Sequence, residues 1–241
     1  MNFFKSVFAT VVGIFLFMLL SFFLLIGLGA LLGSGEDEVK VKDNSVIQLD
    51  LAKINFDYAG KYETDSPFSS LMTKDKVGFI EVLNAIDAAK TDDKIKGITI
   101  VNNQSGLGLA QSKELRDKLE DFKKSKKFVY AYANIFSQKE YYISSIADAV
   151  YLNPAGEVDF KGLGTEMLFF KNFQDQTGLK MEIIRHGKFK SAVEPYLAQE
   201  ISPENREQVT VLLQSVWQTI VTDIAKNRNI SVAQLNTIAD G

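Results

Sequence analysis

Residues 185–196 read Arg-His-Gly-Lys-Phe-Lys-Ser-Ala-Val-Glu-Pro-Tyr, and no other segment of this 241-residue chain is as informative. Lys190 lies just after a predicted strand at 180–186 and the turn residue Gly187. The small and apolar residues that follow it could desolvate its ammonium group. The alternative for Lys190 is a solvated surface lysine, since the chain has 27 Lys and Arg.

A lysine can act as a general base when burial makes its neutral form accessible. The free ammonium has a pKa of about 10.4, and an apolar pocket lowers such a value by several units. A base with a pKa of roughly 7–8 is efficient at neutral pH and needs no histidine. That fits a chain with 1 His. We interpret this residue, His186, as structural.

The wording GKFKSAVEPY at 187–196, followed by Ile-Ser-Pro-Glu-Asn-Arg at 201–206, closely resembles the signal peptide peptidases of the protease IV (SppA) family. The resemblance runs from about residue 45 to the end of the chain. For the long, two-copy members, it implies that Lys190 is the general base of a Ser–Lys dyad. It also implies a ClpP/crotonase-like spiral α/β fold and a ring-like homotetramer whose sites face an enclosed chamber.

The resemblance implies a nucleophilic serine in an Ala-Ser-Gly-Gly-Tyr-Tyr-like turn that opens a helix. The corresponding stretch at 135–143 reads Ile-Phe-Ser-Gln-Lys-Glu-Tyr-Tyr-Ile. Ser137 is present, but Gln138 and Lys139 stand where glycines are expected. We therefore expect the nucleophile in a second, carboxy-terminal copy outside this chain, and we expect this half to be inactive by itself. A complete dyad of Ser137 and Lys190 is the alternative, because short members keep both residues in one copy.

A glycine-containing loop at 102–109 reads Asn-Asn-Gln-Ser-Gly-Leu-Gly-Leu and precedes a predicted helix. Free N–H groups at such a position can hold an anion. The pattern lacks the later residues of a nucleotide-binding loop, which excludes phosphate binding of that type. We interpret Gly106 and Gly108 as a strand-to-helix turn.

An uncharged run from Ser6 to Gly35 is long enough to span a bilayer. It is longer than the apolar region of a cleaved signal peptide. We therefore predict one transmembrane anchor at 1–35, a polar linker at 36–44 and the amino-terminal copy of a peptidase domain at 45–241. Cleavage of the anchor is the alternative, because the segment from Ala30 to Gly35 contains small residues. Lys5 precedes the run and three acidic residues follow it, which favours an amino terminus inside the cell. The domain would then lie on the periplasmic or outer side of a bacterial inner membrane.

Charge and composition exclude several kinds of partner. Of the 27 Lys and Arg only Lys5 lies before residue 36, whereas all 30 Asp and Glu lie at residue 36 or later, so the soluble part has a net charge of −4. This leaves no basic field for nucleic acid. The chain has no cysteine, hence neither disulfides nor thiolate metal sites, and we predict no metal and no cofactor.

The periodicity of the domain alternates between helix and strand, which predicts an α/β fold with parallel strands and crossover helices. The predicted strands are 45–51, 95–101, 128–133, 149–152 and 179–184. The predicted helices are 77–90, 109–124, 139–147, 165–177 and 203–226, with a short one after Ser231. Ser202 is predicted to cap the long helix, with Pro203 at its first position. That helix and Trp217 are candidates for contacts between subunits or halves.

The leading hypothesis is a membrane-anchored serine endopeptidase that degrades cleaved signal peptides and other extended peptides. Lys190 would take the proton of the serine hydroxyl and then donate it to the leaving amine. A non-catalytic, membrane-tethered scaffold or binding module on a crotonase-like domain is the alternative, and it rests on the missing glycines beside Ser137.

Overall fold

The computed structural model describes residues 2–33, 40–55, 57, 77–102, 104–184, 186–187 and 189–241. Six strands are described: β1 (Ser45–Asp50), β2 (Ile54–Asn55), β3 (Val77–Gly78), β4 (Ile95–Asn102), β5 (Phe128–Ala133) and β6 (Ala149–Leu152). The described α-helices are α1 (Asn2–Gly33), α2 (Phe79–Thr91), α3 (Leu109–Lys123), α4 (Gln138–Ser144), α5 (Lys171–Thr177), α6 (Glu194–Leu197), α7 (Pro203–Arg228) and α8 (Val232–Ala239).

The chain divides into two compact units, one up to Lys42 and one from Asp43 onward. Helix α1 belongs to the first unit, and no residue of its apolar window from Phe3 to Leu28 is buried within the chain. By length and composition this window could cross a membrane. Residues 36–39 of the predicted linker lie outside the described residues, while 40–44 lead into β1.

The second unit is a mixed α/β domain with a parallel sheet, as the alternation predicted. Four strands lie in the order β1-β4-β5-β6, and every pairing among them is parallel. A parallel pair needs a crossover, and α2, α3 and α4 lie between successive strands in the chain. A second, two-stranded parallel sheet joins β2 to β3.

Two apolar clusters hold the domain together. The larger one packs α2, α3 and α4 onto the four-stranded sheet and includes Leu51, Ile98, Leu119 and Val129, all completely buried. The smaller one joins α7 and α8 to α4 through Tyr142, Phe160, Ile220, Val221, Ile224 and Leu235. Burial of apolar area on this scale is the main favourable contribution to folding.

The caps of the last two helices are confirmed. The Ser202 hydroxyl accepts a hydrogen bond from the Asn205 N–H, and Pro203 is the first residue of α7. Ser231 accepts from the Gln234 N–H at the start of α8. Each side chain satisfies a helix N–H that would otherwise lack an intrahelical acceptor.

Of two elements predicted before Lys190, the helix at 165–177 is confirmed only from residue 171 onward, and the strand at 179–184 is wrong. The helix predicted from 165 begins only at Lys171, because the Phe170 N–H donates to the Pro195 carbonyl (2.6 Å) instead of to a preceding turn. The strand predicted at 179–184 does not form within the described residues. The Met181 N–H donates to the side chain of Gln174 rather than to a neighbouring strand, so this stretch is irregular and largely exposed.

Candidate functional site

Lys190 lies immediately before a 3-10 turn, Ser191–Val193, that leads into α6. Its side chain is exposed. It borders an open, shallow cavity of about 510 Å³ lined by Ile184, His186, Phe189, Lys190, Ser191, Ala192 and Val193. The expectation that the residues after Lys190 desolvate it is therefore not met within the described chain. Desolvation would require cover from another segment.

The loop that carries Lys190 is closed at its base by Gln174, a buried residue of α5. The Gln174 amide nitrogen donates to the Tyr196 carbonyl (2.8 Å), and its oxygen accepts from the Met181 N–H (2.8 Å). The rings of Phe170 and Tyr196 stack beside this contact, 5.6 Å between centroids. One side chain thus joins the two flanks of the segment that presents Lys190.

Ser137 forms the cap of α4. Its hydroxyl donates to a carboxylate oxygen of Glu140 (2.9 Å) and accepts from the Glu140 N–H. Glu140 is 4% exposed, and its other oxygen accepts from the Ser105 N–H (2.7 Å). This is a capping box, in which the serine and the acidic residue satisfy each other's backbone N–H groups. The Ser137 hydroxyl is therefore engaged in a structural contact.

The two residues in place of the expected glycines hold the neighbouring loops. The Gln138 side chain makes two reciprocal hydrogen bonds with the backbone of Gly162 (2.9 and 3.1 Å). The Lys139 ammonium donates to the carbonyls of Ser105 (3.0 Å) and Leu107 (2.6 Å). The first turn of α4 therefore binds the backbone of two neighbouring loops. The resemblance would place a nucleophile and its oxyanion donors in this same turn.

The loop after β4 serves as a turn, in agreement with the interpretation from sequence. The Leu107 N–H donates to the Ser105 hydroxyl (3.2 Å), and the Gly108 N–H donates to the Gln111 side chain (2.9 Å). These N–H groups are engaged within the chain, so they are not directed at an anion. His186 is exposed and lines the cavity beside Lys190, outside any strand.

The most important contacts around the site were not found by the reasoning from sequence. Glu140, Gln174 and Glu194 are all buried polar residues, and each forms hydrogen bonds with residues outside its own helix. The serine three residues before Glu140 was the one local signal, because it completes the capping-box pattern. Among the described residues, no group of three or more side chains of the metal-binding kinds comes together.

Comparison with known proteins identifies the family. The profile of peptidase family S49 matches residues 121–241, which include α4, Lys190 and α7. Protease 4 of Haemophilus influenzae is 38% identical over 156 residues, and protease 4 of Salmonella typhi is 34% identical over 156 residues. Each match covers 64% of this chain. The chloroplastic serine protease SPPA of Arabidopsis thaliana is 30% identical over 129 residues, 54% of this chain.

These relatives are much longer than the region they share with this chain. The matches span 25% of each protease 4 and 19% of the chloroplastic protein. The family profile, which includes Lys190, covers half of the chain. The chain therefore belongs to peptidase family S49.

Proposed function

We propose that this chain is the amino-terminal part of a membrane-anchored serine peptidase that degrades signal peptides after their release from secreted proteins. The observation that carries this proposal is the position of Lys190 in a peptidase family S49 domain. Lys190 lies on the loop whose two flanks Gln174 joins, beside an open cavity with mostly apolar walls. The name protease 4 of two relatives supports a peptidase.

In this proposal Lys190 is the general base of a Ser–Lys dyad. Its amine takes the proton of a serine hydroxyl as that oxygen attacks the peptide carbonyl, and the ammonium then protonates the leaving amine. The serine comes from a second copy of the domain, outside this chain. The cavity suits such a partner, because Ile184, Phe189 and Val193 offer apolar walls that a covering segment would seal from water.

The proposal also includes a ClpP/crotonase-like spiral fold and a ring-like tetramer whose chamber admits extended peptides. The parallel sheet with its crossover helices is compatible with that fold. A chamber would exclude folded proteins, and a peptidase that works among secreted proteins needs such a filter.

Helix α1 is proposed as an uncleaved membrane anchor with the domain on the periplasmic or outer side. Its apolar window of 26 residues is long enough for the hydrocarbon core with some tilt. A signal sequence near an amino terminus has a similar composition, so the decisive measurement is whether the mature protein retains residues 1–33. Amino-terminal sequencing of the membrane-extracted protein answers this: retention supports the anchor, and a new terminus after the helix refutes it.

The central test is Lys190→Ala in the full-length protein. We expect hydrolysis of a signal-peptide substrate to fall by at least about 100-fold, the lower range of what a general base contributes. Lys180→Ala is the matched control, since Lys180 is an exposed lysine ten positions earlier. Unchanged size on gel filtration would show that assembly is intact. Retained hydrolysis in Lys190→Ala would refute the proposal.

A non-catalytic, membrane-tethered scaffold is the second candidate, and the contacts of α4 favour it. Gln138, Lys139 and Glu140 bind loops in this chain, as a purely structural domain would require. The gene beyond codon 241 discriminates the two. A second domain copy with an Ala-Ser-Gly-Gly-like turn supports the peptidase, whereas a stop codon supports the scaffold.

A further inference from the structure

A buried carboxylate lies four residues after Lys190. Glu194 is the first residue of α6 and is 3% exposed. One of its oxygens accepts from the Ser202 hydroxyl (2.5 Å). The other accepts from the Asn205 side-chain amide (2.9 Å) and from the Ser202 N–H (3.3 Å). Three donors therefore converge on this one side chain.

All three donors belong to the amino terminus of α7. Ser202 is its cap, and the cap hydroxyl also accepts from the Asn205 N–H (3.1 Å). In a capping box, a Glu or Gln at the third helical position takes the N–H of the cap residue. Here that position is Asn205, 2% exposed, and Glu194 takes the N–H from outside the helix. A negative charge is also favourable at this end of the helix dipole.

Glu194 therefore fixes α6, and the short turn before it, to the start of the longest helix of the domain. Only Ser191–Val193 separate Glu194 from Lys190, and the Glu194 N–H donates to the Ser191 carbonyl, which keeps this connection tight. Gln174 holds the other flank of the same loop at Met181. These contacts restrain both flanks of the segment that carries Lys190, and the flank after it is bound to α7.

We propose that Glu194 is a positioning residue for Lys190. This inference rests on the proposed function, in which Lys190 is the general base. The buried carboxylate of Glu194 would hold Lys190 at the correct distance from the serine. A small displacement of a catalytic group can lower the rate about 100-fold without loss of binding. The effect of Glu194 is therefore expected in kcat and not in KM.

The test measures peptide hydrolysis by the full-length protein, with thermal unfolding recorded for every variant. Glu194→Ala is expected to lower kcat by at least about tenfold while KM changes by less than about threefold. Glu194→Gln has nearly the same shape and keeps one acceptor oxygen, so its kcat should lie between those of Glu194→Ala and the wild type. Glu200→Ala is the matched control, because Glu200 is exposed and lies on the same connection.

A second pair of variants keeps the test decisive if Glu194→Ala does not fold. Ser202→Ala removes a helix cap that contacts Glu194, and Ser231→Ala removes an equivalent cap of α8 that does not. We expect Ser202→Ala to lower kcat about threefold or more and Ser231→Ala to leave it unchanged. A purely structural role of Glu194 would make the two caps equivalent in kcat.

The outcomes separate this inference from the proposed function. An active Lys190→Ala variant would refute the general base and, with it, the role of Glu194. An inactive Lys190→Ala beside a folded Glu194→Ala with wild-type kcat would overturn the positioning role alone. Equal losses of kcat in Ser202→Ala and Ser231→Ala would overturn it as well. The predicted order of kcat, with KM preserved, would support it.

Discussion

At the scale of single residues, the two candidates for a dyad differ in their surroundings. Lys190 is exposed beside an apolar cavity, whereas the hydroxyl of Ser137 donates to the buried Glu140. Lys139, which stands where a glycine is expected beside the nucleophile, donates to two backbone carbonyls. These contacts favour a structural role for Ser137 and leave Lys190 as the candidate catalytic group.

We predict that Ser137→Ala in the full-length protein changes the rate of peptide hydrolysis by less than about twofold. Loss of the cap should lower the free energy of unfolding by about 1 kcal/mol, a typical value for a Ser cap. The rate comes from a peptide assay and the stability from thermal unfolding. A collapse of the rate in a folded variant would restore the dyad of Ser137 and Lys190 within this half.

At the scale of elements, a polar cluster joins α3, α4 and α7. Arg116 of α3 is 1% exposed and donates to the Asp223 carbonyl of α7 (2.8 Å), and its guanidinium lies over the ring of Tyr142 from α4, 5.2 Å from the centroid. The Tyr142 hydroxyl donates to the Asp223 carboxylate (2.6 Å). Burial, together with this hydrogen bond, raises the pKa of Tyr142, so the phenol stays a neutral donor.

We predict that Tyr142→Phe lowers the free energy of unfolding by about 1–2 kcal/mol, because a hydrogen bond to a charged group is lost. Tyr141→Phe is the matched control. The Tyr141 ring packs between those of Phe136 and Phe160, and its hydroxyl donates to no acceptor among the described residues. Thermal unfolding of both variants measures the difference. Equal stability of the two variants would contradict a role of the cluster in holding α7.

At the scale of the whole domain, apolar surface is left uncovered on α7. Val211 and Leu212 are 60% and 62% exposed, whereas the carboxy-terminal half of the helix buries Ile220, Val221 and Ile224. Trp217, expected at an interface, is used within the chain: it packs on Phe160 and its N–H donates to Asn236 (2.9 Å). The apolar side chains that α7 leaves exposed therefore lie in the first half of the helix.

We predict that a fragment of residues 45–241 self-associates or is poorly soluble, because burial of the exposed apolar side chains of α7 against another molecule is favourable. Light scattering over a concentration series is the measurement. Leu212→Lys is expected to reduce association, and Gln218→Lys, at another exposed position of α7, is the control. A soluble monomer at high concentration would contradict a role of α7 as an interface.

Sequence-based predictions were accurate where an element depends only on residues close together in the chain. The bounds of β5 and β6 were predicted to the residue, because each is a short apolar run next to polar turns. The caps at Ser202 and Ser231 were also predicted, since a cap involves residues only three positions apart. The strand at 179–184 was wrong, because a strand also needs a partner, and its backbone is bound by Gln174 instead.

The sequence by itself determined the α/β class, the apolar amino-terminal helix, the helix caps and the motif that contains Lys190. These features depend on periodicity, on composition and on neighbours within one turn of helix. Only the tertiary structure decided that Lys190 is exposed, that Glu140 also binds the Ser105 N–H and that Glu194 completes the cap of α7. Contacts such as that between Glu140 and Ser105 join residues 35 positions apart, and such pairs meet only after the chain has packed.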